Sequence, residues 1–584
     1  MDLNGEAIKS DTNSSDMRIR LLLTLAIAST SLLANDSTSH YFISFKDKNN
    51  SLYSTEKPWE YLSVKSIDRR QKFGISITEN DLPVNSSYIQ AIDILRGVRV
   101  VQASRWLNGV EVILDKTAIL DDIRHQSFVS GIQFLGTIKK RNKDIAEEID
   151  SEYYKRSEKL AAVKSAHSHI SDDIAERVYN ESYEELYMIG LPDLHKQGFM
   201  GEKMSIAVLD AGFFNAYKVR GMEDLLQPGT VIKDFVDGDN SVWEDDAHGA
   251  KVLSFMKTYN PSEYIGSAPY ADYMLLRTEI ASQEYPLEEL KWVFAAEFAD
   301  SSGADMIIAS VGYHTFDDRA LNHSYKELDG STTIIARGAN IANATGMAVV
   351  CSAGNEGQGK WRKIGTPADA TGVFAIGACD SEGKRAYFSS EGINNGRIKP
   401  DFTAPGQRVT IASHNGFYAG NGTSYATPVF AGALACLMQA FPLMTPDSLK
   451  VLLKYSASHF TLPDTLMGYG IPDMYLAYVK KQGTTFEDDF TPVSAAITLE
   501  RYTTVIMKSS SEQKVKISVL YKEKKRFKKI SSKTYHLKKG EWLRDEQWLN
   551  IIRTETRRKN KRDVMKCILE IQTEKETKKR YFVS

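Results

Sequence analysis

Three residues of this 584-residue chain have types and settings that suit acyl-transfer chemistry: Asp210, His248 and Ser424. Ser424 stands in Gly422-Thr423-Ser424-Tyr425-Ala426-Thr427-Pro428, ahead of an apolar run through Met438. Gly422 permits an unusual backbone before the serine, and Pro428 suits the first turn of a helix. Ser424 is therefore expected at the amino end of a buried helix, where outward N–H groups and the dipole favour negative charge. A nucleophile whose substrate develops an oxyanion belongs in such a place; a helix-capping serine is the plain alternative. Asp210 closes the apolar run Ile206-Ala207-Val208-Leu209. A carboxylate at the end of a buried strand needs a partner, such as a histidine N–H, although an aspartate opening a turn has the same local look. His248, in Asp246-Ala247-His248-Gly249, precedes a helical stretch reaching Met256. A lone histidine there reads as readily structural as catalytic.

The three gain force as a set, because Asp, His, Ser is one of the known chain orders of a catalytic triad. The segments Ile206-Ala207-Val208-Leu209-Asp210-Ala211-Gly212, His248-Gly249-Ala250-Lys251-Val252 and Gly422–Pro428 resemble the three signature motifs of subtilisin-like serine peptidases. Between them, Ser352-Ala353-Gly354-Asn355-Glu356-Gly357 resembles that family's oxyanion segment. The resemblance implies that Ser424 Oγ attacks the scissile carbonyl, His248 relays the proton and Asp210 orients the imidazole. It also implies that the Asn355 side chain works with the Ser424 backbone N–H as oxyanion hole. Ser310, Val311 and Gly312 are similar to the segment that pairs with substrate backbone and borders the primary specificity pocket. Ser352, Ala353 and Gly354 would form the opposite wall. The chain departs from the pattern at Ala211, where a small hydroxyl residue is usual, and at Ala250 and Lys251, where Thr and His usually follow. These changes spare the proton-transfer groups but alter the surroundings of Asp210 and His248.

Two other hydrolase classes fit poorly. An α/β-hydrolase needs a Gly-x-Ser-x-Gly elbow and the order Ser, acid, His, and Ser-Glu-Asp acid peptidases lack the histidine. A protease-shaped binding protein without turnover is the second reading, raised by Ala250 and Lys251 and opposed by the joint presence of Asp210, His248, Asn355 and Ser424. The expectation is a secreted serine endopeptidase acting on proteins or peptides through an acyl-enzyme, with no cofactor required for the chemistry. Calcium is common in the family; the nearest acidic segment here, Asp237-Gly238-Asp239, is too short to assign as a binding loop.

The elements that must position these residues lie in a region bounded here as 181–483. Nearly continuous apolar strands (Ser205–Leu209, Tyr273–Arg277, Met306–Ala309, Ala348–Ser352 and Val373–Ala378) alternate with helical stretches such as Leu287–Ala299 and Ser331–Ala344. That pattern predicts an α/β, subtilisin-like layered parallel sheet with functional residues at the carboxyl ends of its strands. Ahead of it, within 35–137, the strand Tyr41–Phe45, helices Trp59–Phe73 and Ser87–Leu95, a hairpin Val98–Ser104/Gly109–Leu114, a helix Thr117–Gln126 and a strand Ile132–Gly136 describe a small α+β unit. In position and pattern it resembles the family's inhibitory propeptide, a partner the enzyme would carry on its own chain; a permanent N-terminal domain is the alternative. Residues 138–180 are strongly charged and read as a linker open to processing, with a mature start near Tyr179.

The two ends differ again. Met17-Arg18-Ile19-Arg20, the uncharged run Leu21–Ala28 and the Ser/Thr/Ala stretch ending near Ala34 have the layout of a secretory signal peptide within residues 1–34, with Met17 a candidate start. The apolar run is too short for a transmembrane span, so the expected location is extracellular, periplasmic or at the cell envelope. From 484 to 584 the chain turns β-like, around Thr503–Met507, Val515–Tyr521 and Val564–Ile571, and reads as a small basic β-rich domain. From residue 483 on there are 25 Lys and Arg against 14 Asp and Glu, whereas the whole chain has a net charge of −2 and no nucleic-acid-binding character. The four cysteines match no zinc spacing and imply no disulfide framework; a Cys351–Cys379 bridge needs neighbouring strands.

Overall fold

Seven short strands between residues 205 and 405 form one sheet, and all but one edge strand are buried because helices cover both of its faces. The computed structural model describes residues 37–117, 119–139, 174–244, 246–393 and 396–483, together with strands at 505–508, 513–523, 526–537, 542–545, 567–573 and 579–583. The expected signal peptide and most of the charged linker lie outside these residues. In the large sheet we number β5 Ser205–Asp210, β6 Val231–Asp234, β7 Asp272–Arg277, β8 Met306–Ala309, β9 Ala348–Ser352, β10 Phe374–Cys379 and β11 Phe402–Pro405. Their order is β11-β10-β9-β8-β5-β7-β6, and every pairing is parallel.

Side chains alternate across each strand, so one strand feeds two cores. Ile206 and Val208 of β5 face the layer holding helices His248–Lys257 and Thr423–Ala440. Ala207 and Leu209 face the layer of Pro286–Ser302 and Ile334–Ala344. The first layer is thin because its Thr423–Ala440 helix is rich in small residues; a Cβ on Gly432 would lie 2.0 Å from Ser267 Oγ. After β5 the chain fills the β6–β7 side, then crosses to build β8 through β11 in the other direction. The reversal falls between β5 and β8, and the crevice at the carboxyl ends there is where open α/β sheets bind ligands.

Two of the seven strands, β6 and β11, were not among those expected from the sequence. They are the edges: β6 is four residues long, mixed in polarity and only partly buried, and β11 ends in proline. The cysteines of β9 and β10 do not bridge; Cys351, Cys379 and Cys436 are free and buried. Near the C-terminal end the described strands form antiparallel sheets of four and two strands. Among the described residues no helix is long and apolar enough to cross a membrane.

The N-terminal unit has β1 Ser37–Phe45, α1 Val64–Phe73, α2 Ser86–Asp93, β2 Val98–Ser104, β3 Gly109–Leu114, α3 Ile119–Arg124 and β4 Val129–Lys139. Its antiparallel sheet has the order β2-β3-β1-β4. The helix expected over Trp59–Phe73 is divided: Pro58–Glu60 makes a single tight turn, and Ser63 then caps α1 through the Ser66 N–H. Tyr41, Ile43 and Phe45 pack with Ile92 of α2 and Ile123 of α3. The opposite face presents Phe42, Trp106 and Leu135, which join the core around the helix Pro286–Ser302, hereafter α4.

Charges are buried along the same contact. Asp300 of α4, with a side chain 0% exposed, accepts hydrogen bonds from Arg69, Arg70 and Arg105. Burial alone would raise its pKa, but the bonds from Arg70 and the charges of the three arginines hold it below the ordinary carboxylate value. Glu297 takes the N–H groups of Arg105 and Trp106, and Lys291 reaches Glu111, which also meets His40, each at 2.8 Å. Gly303, at φ 88°, ends α4 under α1, where a Cβ would lie 2.4 Å from Lys65 Cβ. Removing one member of such a network strands the others in a dry site, at a cost of about 3–5 kcal/mol. Asp300→Ala should therefore lower the stability of the full chain by about that amount in urea unfolding. Adding Arg70→Ala to it should cost far less than the two single losses summed; additive losses would contradict the network.

Candidate active site

Asp210 is the last residue of β5 and is fully buried. Its Oδ1 accepts two hydrogen bonds, from the Ala211 N–H at 2.8 Å and from His248 Nδ1 at 2.7 Å. His248 begins the helix His248–Lys257, and its N–H is held by Asp246 Oδ1 at 2.6 Å. The imidazole is 32% exposed and opens to the crevice. The next residue must be glycine for the two elements to meet: a Cβ on Gly249 would lie 2.4 Å from the Gly212 carbonyl and 3.0 Å from Asp210 Cβ. Burial lowers the affinity of His248 for a proton, but the charge and hydrogen bond of Asp210 outweigh it, so its pKa lies above 6.5. Asp246 adds to that pull, and Lys251 opposes it. Asp210 Oδ2 receives no hydrogen bond among the described residues, in keeping with the absence of a hydroxyl at Ala211 and Ala250.

Ser424 is the second residue of the helix Thr423–Ala440, and Gly422 caps it. Its N–H lies in the first turn, where no intrahelical acceptor exists. Two sequence expectations for this segment are corrected. Gly422 has φ 163°, an extended backbone open to any residue, and a Cβ there would find only ordinary contacts from 3.6 Å. Pro428 sits inside the helix, one turn beyond Ser424, rather than in its first turn. Because proline has no N–H, the Ser424 carbonyl loses its helical partner at i+4. Ser310 supplies the replacement, donating from Oγ to the Ser424 carbonyl at 3.0 Å. Ser424 Oγ in turn donates to the Ser310 carbonyl at 3.3 Å. Among the described residues no hydrogen bond joins Ser424 to His248; the His248 ring lies 6.4 Å from that of Tyr425, the residue after the serine. Hydrogen bonds of this kind often tighten only with substrate in place.

Asn355 is exposed beside the serine. Its Oδ1 accepts from the Thr423 N–H at 2.9 Å and from Thr423 Oγ1 at 3.0 Å. With the acceptor end occupied, the Nδ2 donors are left for a ligand. Ser310, Val311 and Gly312 extend from the carboxyl end of β8, and Ser352, Ala353 and Gly354 from that of β9; Ser352 Oγ meets the Val311 carbonyl at 3.4 Å. The ten residues singled out in the sequence thus all fall at the carboxyl edge of β5, β8 and β9 or on the two helices that face it.

Others were missed. Thr423 orients Asn355, and its place beside the serine was the available signal. Glu279 is buried next to β7, takes the hydroxyls of Thr278 and Tyr313, and burial pushes its pKa up to about 8. Nothing in the local sequence marks it. The segment Asp237-Gly238-Asp239 does not suit calcium: Asp237 Oδ2 binds the Arg277 guanidinium at 2.8 Å, and Asp239 Oδ1 takes the Ser241 N–H at 2.8 Å. No cluster of three or more metal-ligating side chains occurs among the described residues.

Residues 201–470 match the Subtilase family model, and residues 40–150 match the Peptidase S8 propeptide domain of Bacteroidota. Subtilisin E of Bacillus subtilis (strain 168) is 30% identical over 278 residues, covering 46% of this chain and 65% of its own. Subtilisin of Bacillus pumilus is 29% identical over 279 residues, covering 46% and 90%. The chain therefore spans just under two thirds of the length of subtilisin E. The chain carries a subtilase-family domain preceded by a Peptidase S8 propeptide domain.

Proposed function

We propose that this protein is a serine endopeptidase made as a zymogen, with Asp210, His248 and Ser424 as its triad. The observation that carries the reading is the 2.7 Å bond from a half-open histidine to a fully buried carboxylate, set beside a serine in the first turn of a buried helix. In this reading His248 Nε2 takes the proton of Ser424 Oγ as the oxygen attacks a peptide carbonyl. Asp210, bound to Nδ1, fixes the tautomer and stabilises the imidazolium, which then protonates the leaving amine. Charge developing on the carbonyl oxygen meets the Ser424 N–H and Asn355 Nδ2; one such donor is typically worth about 10²–10³ in turnover. Water, activated by the same histidine, releases the acyl group. Every step uses a group of this chain, and the backbone at 310–312 and 352–354 would hold the substrate between its walls.

The N-terminal unit supports the zymogen half of the proposal. At the end of β4 the Lys139 backbone exchanges two hydrogen bonds with the Gln283 side chain, at 2.9 and 3.0 Å. Gln283 follows β7, whose neighbour Thr278 donates its N–H to the Asp210 carbonyl. β4 therefore ends beside the stretch that follows β7, and in this reading the linker after it carries the bond that the nucleophile cuts. Together with the leader-like residues 17–34, this fits an exported enzyme that is processed after folding.

The reading is tested by treating the wild-type chain and Ser424→Ala with a fluorophosphonate probe and measuring their masses. Wild type should be labelled on Ser424 and shortened by a cut between residues 138 and 180, with Ser424→Ala unlabelled and full length. A folded but unlabelled wild type would sink the enzyme, and equal lengths would sink self-processing. A second test concerns His248, which must be neutral to act as base, so activity should fall as pH drops through a pKa above 6.5. Gly249→Ala should push His248 from Asp210, lower kcat about 10²-fold and move this acid limb to lower pH. A limb that stays in place would show that Asp210 does not set it.

A further inference from the structure

We propose that Ser310 is a positioning residue for the nucleophile, its hydroxyl substituting for the backbone donor that Pro428 removes from the Ser424 helix. The inference rests on the serine-peptidase reading of the site and gives Ser310 a task that the resemblance did not assign to it. In an α-helix the carbonyl of residue i is held by the N–H of i+4. Pro428 has none to offer to Ser424. A buried carbonyl left without a donor is rare and costly, and Ser424 and Ser310 are both buried. Ser310 Oγ closes the gap at 3.0 Å, while the Ser310 carbonyl accepts from Ser424 Oγ at 3.3 Å.

This reciprocal pair ties the serine's backbone and side chain to one residue, and that residue is rigid. Ser310 follows Ala309 of β8, which pairs with Leu209 of β5 on one side and Cys351 of β9 on the other. Leu209 precedes Asp210. The same two strand ends thus carry the carboxylate that orients the histidine and the hydroxyl that anchors the nucleophile. A helix that kept its hydrogen bond at residue 424 would hold the serine only to its own axis. The proline break instead transfers that hold to the sheet, so the spacing of nucleophile and base is fixed by β5–β8 pairing. Ser267 completes the arrangement one turn later by donating to the Pro428 carbonyl at 3.0 Å.

The test compares wild type, Ser310→Ala, Ser310→Thr, and Ser310→Ala combined with Pro428→Ala, which returns an N–H to the helix. Initial rates on a peptide ester and the rate of fluorophosphonate labelling at Ser424 are measured for each, with thermal unfolding as the check on folding. Ser310→Ala should lower kcat and the labelling rate about five- to tenfold, the loss typical of one hydrogen bond, with KM within twofold. Ser310→Thr, which keeps a hydroxyl, and the double variant should each recover most of the loss. Three results would overturn the proposal: unchanged kcat in Ser310→Ala, a loss confined to KM, or a double variant slower than Ser310→Ala. If Ser310→Ala does not fold, failure of Ser310→Thr to keep kcat above a third of wild type decides against it. A wild type that neither turns over nor labels would sink the peptidase reading itself, whereas an active wild type with an indifferent Ser310→Ala sinks only this inference.

Discussion

A carboxylate with no exposed surface, at the end of an interior strand of a seven-stranded sheet, is the constraint on which the site depends. Asp210 is out of water, and its charge is tolerable only if donors come to it. One donor is the next backbone N–H; the other is His248. To bring the histidine there, its helix must approach the end of β5 more closely than any side chain at position 249 allows, which is the reason for Gly249. The strand order then does the rest. The sheet reverses direction between β5 and β8, so the crevice at their carboxyl ends lies open while both faces of the sheet are covered.

The opposite side of the crevice depends on an interrupted helix rather than on a strained one. Thr423–Ala440 is long, buried and mostly apolar, and by itself it would be an ordinary core helix. Pro428 changes it by releasing one carbonyl in the first turn, and Ser310 receives that carbonyl. Thr423 performs a parallel service for Asn355, taking the acceptor end of its amide with both N–H and hydroxyl. In the proposed mechanism, donor groups for an oxyanion would thereby be aimed before any ligand arrives, the condition under which they contribute most to rate.

The sequence was most readable where burial is complete. Strands β5, β7, β8, β9 and β10 run through both cores, so their residues are apolar without interruption and could be placed within a residue or so. The edge strands β6 and β11 are short and carry Lys233, Asp234 and Pro405, a composition that does not separate a strand from a loop. The proposed triad and Asn355 could be singled out because each stands in a motif with a fixed chain order. What could not be read was long-range pairing. Nothing near Asp300 announces three arginines from a domain roughly two hundred residues earlier, and nothing near Asp237 announces Arg277. Pro428 was misplaced for a related reason: its effect is felt at Ser424, whose new partner lies 114 residues away.

The N-terminal unit is held by the same kind of interaction as the site, a buried carboxylate satisfied from another element. Asp300 and Glu297 on one helix meet the arginines and backbone of the first domain, and β4 then delivers the chain to Gln283, beyond the end of β7. The central claim is that buried Asp210 holds the proton affinity of His248 up, against burial and the nearby Lys251. The direct measurement is the titration of His248 by NMR in the Ser424→Ala chain, with and without Asp210→Asn. The account predicts a pKa above the ordinary histidine value of 6.5 with Asp210 present and a lower one with asparagine in its place. The same pKa in both chains, or one at or below 6.5 with Asp210 intact, would contradict it.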